Sequence, residues 1–245
     1  MKWTITPLCM GFLEMSLAVE LMHKGYEQKI AAPCVSWLLQ SGDKTVLVDT
    51  GPASPEWSLA HHRPLQRTED QYLRPTLLAR GIDPGEIKDV VLTHLHWDHC
   101  SGCADVPNAR IYVQREEMRY AICPYPCDFG SYETKQHVLM AEFYQRIHPV
   151  HGDVELFDGI TLLFTPGHSP GSQSVLVETE SGPAVIAGDL VGRYEALEVD
   201  PPHLPGLANN IEECYSSLEK ITRITRNILP SHDGQVFLRM QRNER

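Results

Sequence analysis

The chain has 245 residues, 42% of them apolar and 22% charged, enough apolar mass for the core of a single α/β or sandwich domain over 1–245. Its formal net charge of −11 repels polyphosphate, and no Lys/Arg cluster of five or more offsets it, which argues against nucleic acid and anionic membrane surfaces as partners. No run approaches the ~18 apolar residues of a membrane span.

Seven cysteines are an odd number in a chain that is not small, so reduced thiols in a cytoplasm are expected. The start is apolar, but Glu14 and Glu20 interrupt it, and it reads as mature protein rather than a secretory leader.

Residues 3–8 read as a first strand, and 11–32 as a mixed stretch that suits a loop over a pocket. Met10, Phe12, Leu13, Met15, Leu17, Leu21 and Met22 are too apolar for a free tail and suit either a cap on a pocket mouth or a homodimer contact. Residues 35–40 and 45–48 flank the turn cluster Ser41-Gly42-Asp43 and predict a hairpin. The polar, Pro-broken segment 52–72 reads as surface, 73–80 as a helix stopped by Gly81, and 89–92 as a short buried strand. A strand at 110–113 leads into a helix at 115–121, a Pro/Gly/aromatic loop at 123–132 and a second helix at 135–147. Strands follow at 154–157, 160–164, 174–178 and 184–187, then a helix at 210–224 with apolar residues at helical spacing, and a closing strand at 227–229. Two sets of strands with helices outside them predict an α/β fold of four layers, an αββα sandwich.

The chemistry concentrates in Thr93-His94-Leu95-His96-Trp97-Asp98-His99. On extended backbone His94 and His96 point the same way, because side chains alternate, while Asp98 and His99 lie past a turn and face a second point. One loop thus offers ligands to two neighbouring metals, and imidazole with carboxylate suits zinc, iron or manganese. Three more candidates lie just beyond strand-like runs: His168 in a Pro/Gly-fixed loop, Asp189 after 184–188, and His232 after 227–229. Strand, loop, ligand is a repeated pattern that one sheet edge can gather.

In this order, with an early LVDTG at 47–51, the motifs HLHWDH, TPGHSPGS, AGDL and PSHD resemble those of the metallo-β-lactamase-fold hydrolases across about 35–233. Within them the chain is most similar to the N-acyl homoserine lactonases, on TPGHSPGSQSVLVET and the terminal SHD. The resemblance implies two divalent metal ions, zinc first, with iron, manganese or cobalt as alternatives. His94, His96 and His168 would hold one ion, Asp98, His99 and His232 the other, and Asp189 would bridge them. The implied reaction is hydrolysis of a small-molecule lactone of the quorum-quenching type, with Asp98 also passing a proton to the leaving alkoxide. Asp49 either fixes the tautomer of a ligand histidine or merely forms a turn.

Trp97 would line the substrate pocket or pack beside it. Tyr194, two residues beyond the spacing expected for a carbonyl-binding tyrosine, is a catalytic and substrate-binding candidate with plain packing as its alternative. The rival readings are a hydrolase of another lactone, ester or thioester, similar to glyoxalase II, and a metal-dependent redox protein. His96 stands where the diiron flavoproteins often carry Glu. Cys100/Cys103 and Cys123/Cys127 have the spacing of a further thiolate zinc site, or are buried and tolerated thiols. Tyr120, Tyr125, Phe129, Tyr132, Phe143 and Tyr144 suit a pocket wall or helix packing, and His61, His62, His148 and His151 are expected as solvated loop residues.

Overall fold

Near-continuous apolar runs give the central strands two buried faces, and the sandwich follows from that. In the computed structural model, which describes residues 1–132 and 139–243, the strands form two sheets. The first contains β1 (Thr4–Ser16), β2 (Lys29–Ser41), β3 (Lys44–Val48), β4 (Leu65–Gln66), β5 (Asp89–Val91), β6 (Arg110–Gln114) and β7 (Ile147–Val150), in the order β4-β1-β2-β3-β5-β6-β7. It is antiparallel from β4 to β3 and parallel from β3 to β7. The second contains β8 (Val154–Phe157), β9 (Ile160–Phe164), β10 (Gln173–Thr179), β11 (Gly182–Ile186) and β12 (Ile228–Leu229), in the order β12-β11-β10-β9-β8.

Val46, Val48, Val91 and Tyr112 point into the space between the sheets, where they meet Ile160, Leu162, Val175 and Ile186. Their neighbours Leu47, Val90, Ile111 and Val113 point the other way, onto Leu73 and Leu77 of α3 (Leu73–Leu78) and Ala121 of α5 (Arg115–Ile122). The remaining short helices are α1 (Leu17–Glu20), α2 (Pro55–His61), α4 (Trp97–Cys100) and α6 (Phe129–Tyr132). On the far side α7 (Ile211–Ile224) lays Cys214, Leu218 and Ile221 against Leu163, Val185 and Ile228. Asn210 starts that helix, its side chain accepting from the backbone N–H groups of Glu212 and Glu213. A final helix, α8 (Gln235–Asn243), packs Val236 into the core between the sheets.

The predicted four layers are present, with three differences. The stretch 11–32 is not a loop: β1 runs on to Ser16 through a bulge, where Gly11 takes φ +122° and the register shifts between Cys9 and Phe12. Met10, Leu13, Leu17 and Leu21 are buried in the chain's own core, and Leu13 and Met15 also line the narrow cleft of the candidate site. Of the helix expected at 135–147, residues 135–138 lie outside the described residues; the remainder is two 3-10 turns, Leu139–Glu142 and Tyr144–Arg146, leading into β7. The strands β4 and β7 and the helices α1, α2, α4, α6 and α8 went unpredicted.

Candidate metal centre

Five strands of the sandwich end beside one another, and the loops leaving them carry the candidate residues. Asp49 follows β3, His94 to His99 follow β5, His168 follows β9, Asp189 follows β11 and His232 follows β12. All five histidines are buried.

The side chains sort into two groups about one carboxylate. Asp189 Oδ2 lies 3.9 Å from His94 Nε2 and 3.5 Å from His168 Nε2, and His168 Nε2 is 3.1 Å from His96 Nδ1. Asp189 Oδ1 lies 3.2 Å from both His99 Nε2 and His232 Nε2. Asp98 Oδ2 completes this second group, 3.7 Å from His99 Nε2 and 3.8 Å from His232 Nε2. Each oxygen of Asp189 therefore serves a different set of imidazoles. Ser231 Oγ donates to Asp189 Oδ1 at 2.7 Å and fixes the carboxylate's orientation.

Outer partners fix the tautomers. His168 Nδ1–H donates to the Leu207 carbonyl at 2.7 Å, and His232 Nδ1–H to the Pro33 carbonyl at 2.9 Å. His99 Nδ1–H donates to Asp49 Oδ2 at 2.8 Å. Thr93 Oγ1–H donates to the same oxygen at 2.8 Å, so it accepts from His94 Nδ1–H at 3.1 Å. Four Nε2 atoms are thereby aimed inward. Asp49 reaches both Thr93 and His99 because its backbone takes φ +59°, a left-handed conformation that Asp tolerates. It is turn former and tautomer anchor at once.

Electrostatics divides the same two groups. Burial, reinforced by neighbouring imidazoles, pushes His94 and His96 well below the usual histidine range, so they stay neutral, the ligand form. Burial also opposes charge on His99 and His232, but Asp189, with Asp98 and Asp49 beside His99 and Glu20 beside His232, pushes both well above it. Burial opposes charge on Asp189 too, yet His99 and His232 hold it well below the carboxylate range. The buried Nε2 atoms of His94 and His99 have no hydrogen-bond partner. Buried polar atoms are rarely left so, and inward ring nitrogens around anionic oxygens fit divalent cations, which would take the place of the protons that the carboxylates hold on His99 and His232.

Two residues outside the sequence expectations matter. Glu117 on α5 is fully buried and accepts four hydrogen bonds, from Leu95 N–H, Gly171 N–H, Ser169 Oγ and Tyr132 Oη. It thus locks the His94–His99 loop to the His168 loop. A Cβ on Gly171 would stand 2.0 Å from Glu117 N, so only glycine lets that loop approach. Glu20 is buried in the wall of the cleft; burial, partly offset by His232, raises its carboxyl to about 7. Neither glutamate lies in a motif, and nothing in the sequence separates them from surface acids.

Leu13, Met15, Arg63, Trp97, Ser131 and Leu207 complete a narrow cleft of about 40 Å³, space for a few waters. Wider clefts of about 420 and 430 Å³ lie elsewhere and hold none of the candidate histidines. Trp97 lines the narrow cleft and also packs, its ring stacked on His62 at 4.7 Å and tilted to Trp57 at 5.4 Å. His62 is therefore no solvated loop residue; burial lowers its imidazole to about 4.

Tyr194 is not brought to the cluster. Its ring is buried in the core between the sheets, with the Arg239 guanidinium 3.7 Å from its centroid, and it faces the 430 Å³ cleft instead. Its plain packing alternative is what the fold shows. The aromatic group divides: Tyr132 stands edge-on to His96 at 4.7 Å, whereas Tyr125, Phe129 and Tyr144 are exposed. Cys100 and Cys103 are buried and Cys123 and Cys127 exposed, and among the described residues the two pairs do not meet in a ligand cluster.

The model of the metallo-beta-lactamase superfamily matches residues 31–232. An N-acyl homoserine lactonase of Bacillus cereus is 34% identical over 180 residues, 69% of this chain and 68% of the relative. One of Bacillus thuringiensis is 28% identical over 211 residues, 81% of this chain and 78% of the relative. Among solved structures, an N-acyl homoserine lactone hydrolase with the product N-hexanoyl-L-homoserine bound at its catalytic metal center superposes with a TM-score of 0.81 at 23% identity, covering 100% of this chain and 97% of that one. A dizinc quorum-quenching lactonase, AidC, superposes with a TM-score of 0.69 at 18% identity, covering 94% and 87%.

Proposed function

The chain belongs to the metallo-beta-lactamase superfamily, and from that premise we propose that it is a dinuclear metal-dependent hydrolase that opens the ring of N-acyl homoserine lactones. The observation that carries this reading is the division of Asp189, one oxygen toward His94 and His168 and the other toward His99 and His232. The substrate class is supported by the lactonases of Bacillus to which the chain is similar.

His94, His96, His168 and one Asp189 oxygen would hold the first ion; Asp98, His99, His232 and the other oxygen the second. When bound, two such ions supply a water acidified toward neutral pH and a Lewis acid for the ester carbonyl. Asp98, 13% exposed at the cleft, would take the proton of the attacking water and return it to the leaving alkoxide. Trp97, backed by His62, walls the cleft and keeps bulk water from that proton path. Zinc suits the imidazole and carboxylate set best. Seven free thiols favour a reducing, cytoplasmic setting, and among the described residues no helix is long and apolar enough to cross a membrane.

The test is a pH-indicator assay over lactones with and without acyl tails, together with simple esters and thioesters. Acyl homoserine lactones should be the best substrates by kcat/KM, each turnover releasing one carboxylic acid. Turnover confined to esters, thioesters or tail-less lactones overturns the assignment.

A further inference from the structure

One more donor borders the second half of the centre. Cys34 on β2 is 2% exposed, and its Sγ, a carboxylate oxygen of Asp98 and a ring nitrogen of His232 all lie within 4.8 Å of one another. Backbone contacts on either side hold it there: the Pro33 carbonyl accepts from His232 Nδ1–H at 2.9 Å, and Val35 N–H donates to the Ser231 carbonyl at 3.1 Å. The β1 bulge lies opposite, since Phe12 pairs with Pro33 and Cys9 with Val35 while no β1 residue pairs with Cys34. The position is therefore fixed by the same segment that delivers His232. An independent sign of a cation in this half is His99 Nε2, buried and without a hydrogen-bond partner, 3.7 Å from Asp98 Oδ2.

We propose that Cys34 is a further protein ligand of the second metal, bound through Sγ as a thiolate; the proposal rests on the two-metal reading. The Sγ–H bond breaks as the Sγ–metal bond forms, and the proton leaves to solvent. The two halves then differ in chemistry as well as position. The first is a set of imidazoles with one carboxylate oxygen; the second adds sulfur to imidazole and carboxylate. Thiolate favours zinc or cobalt over manganese and magnesium, so the second position is the selective one.

The experiment loads the full-length protein with Co²⁺ and reads cobalt content and near-ultraviolet absorption on the same samples. Wild type should hold two cobalt ions per chain and show an intense sulfur-to-cobalt charge-transfer band. Cys34→Ser should lose that band while keeping its visible ligand-field absorption, and Cys100→Ser, which removes another buried thiol, should retain it. Cys34→Ala takes the place of Cys34→Ser if the serine variant does not fold. Two cobalt ions in wild type with no such band, or a band that survives loss of the Cys34 sulfur, overturns the proposal. Fewer than two cobalt ions in wild type overturns the two-metal reading, and the sulfur ligand with it.

Discussion

Replacing Asp49 by Asn isolates what the tautomer anchor contributes. Asn matches the shape and accepts the left-handed backbone at φ +59°, so no strain is added. The carboxylate accepts from Thr93 N–H at 2.7 Å, Thr93 Oγ1–H at 2.8 Å and His99 Nδ1–H at 2.8 Å. An amide has one accepting oxygen. Either its NH₂ faces the Thr93 N–H, or it faces Thr93 Oγ1–H and His99 Nδ1–H together. At least one buried donor thus loses its acceptor, at a cost of about 1.5–3 kcal/mol for a hydrogen bond to a charged group. Because His99 then donates to a neutral amide oxygen or to nothing, its tautomer is held less firmly, and the loss is expected chiefly as a fall in metal affinity of roughly 10–100-fold. Competition with a chromophoric chelator reads that affinity, and urea unfolding of the metal-free protein reads the structural part separately. Metal affinity within twofold of wild type would refute the reasoning that Asp49 acts through His99.

Glu117→Ala removes the acceptor of four buried hydrogen bonds and should destabilise the protein by at least about 3 kcal/mol in urea unfolding, with Glu117→Gln recovering part of it. A loss under 1 kcal/mol, about that of one ordinary hydrogen bond, would mean that the two histidine loops are tied together elsewhere. Glu20 keeps its proton up to about 7 in the fold against an ordinary value of 4.5, burial being the main cause. Its contribution to stability is whole below 4.5 and is lost as pH rises through 7, on the order of 3 kcal/mol in the metal-free protein. Glu20→Gln should flatten that slope between about pH 4.5 and 7; urea midpoints that fall equally in both proteins would contradict it.

The ligand loops were legible because their chemistry is local. Four donors crowd into residues 94–99, and His168, Asp189 and His232 each follow an apolar run that reads as a strand. The central strands were legible for the same reason: residues 90–92 and 184–187, at the ends of β5 and β11, are short apolar runs. What escaped depends on tertiary neighbours. Glu117 and Glu20 look like surface acids until the fold buries them, and Cys34 is one small residue in an apolar strand. Tyr194 shows the converse, since proximity in sequence to Asp189 misled: the turn at Gly188–Leu190 sends the chain away from the cleft and beneath Arg239. The extension of β1 was hidden by Gly11, which reads as a break and acts as a bulge.

Everything assigned to catalysis requires two cations held by these side chains about Asp189. Metal analysis of the protein purified in metal-replete buffer, alongside Asp189→Ala, addresses that directly. Two divalent ions per wild-type chain, with the variant losing at least one of them and its lactone turnover, is the expected result. One ion or none in wild type, or an Asp189→Ala protein with full metal content and undiminished turnover, would contradict it.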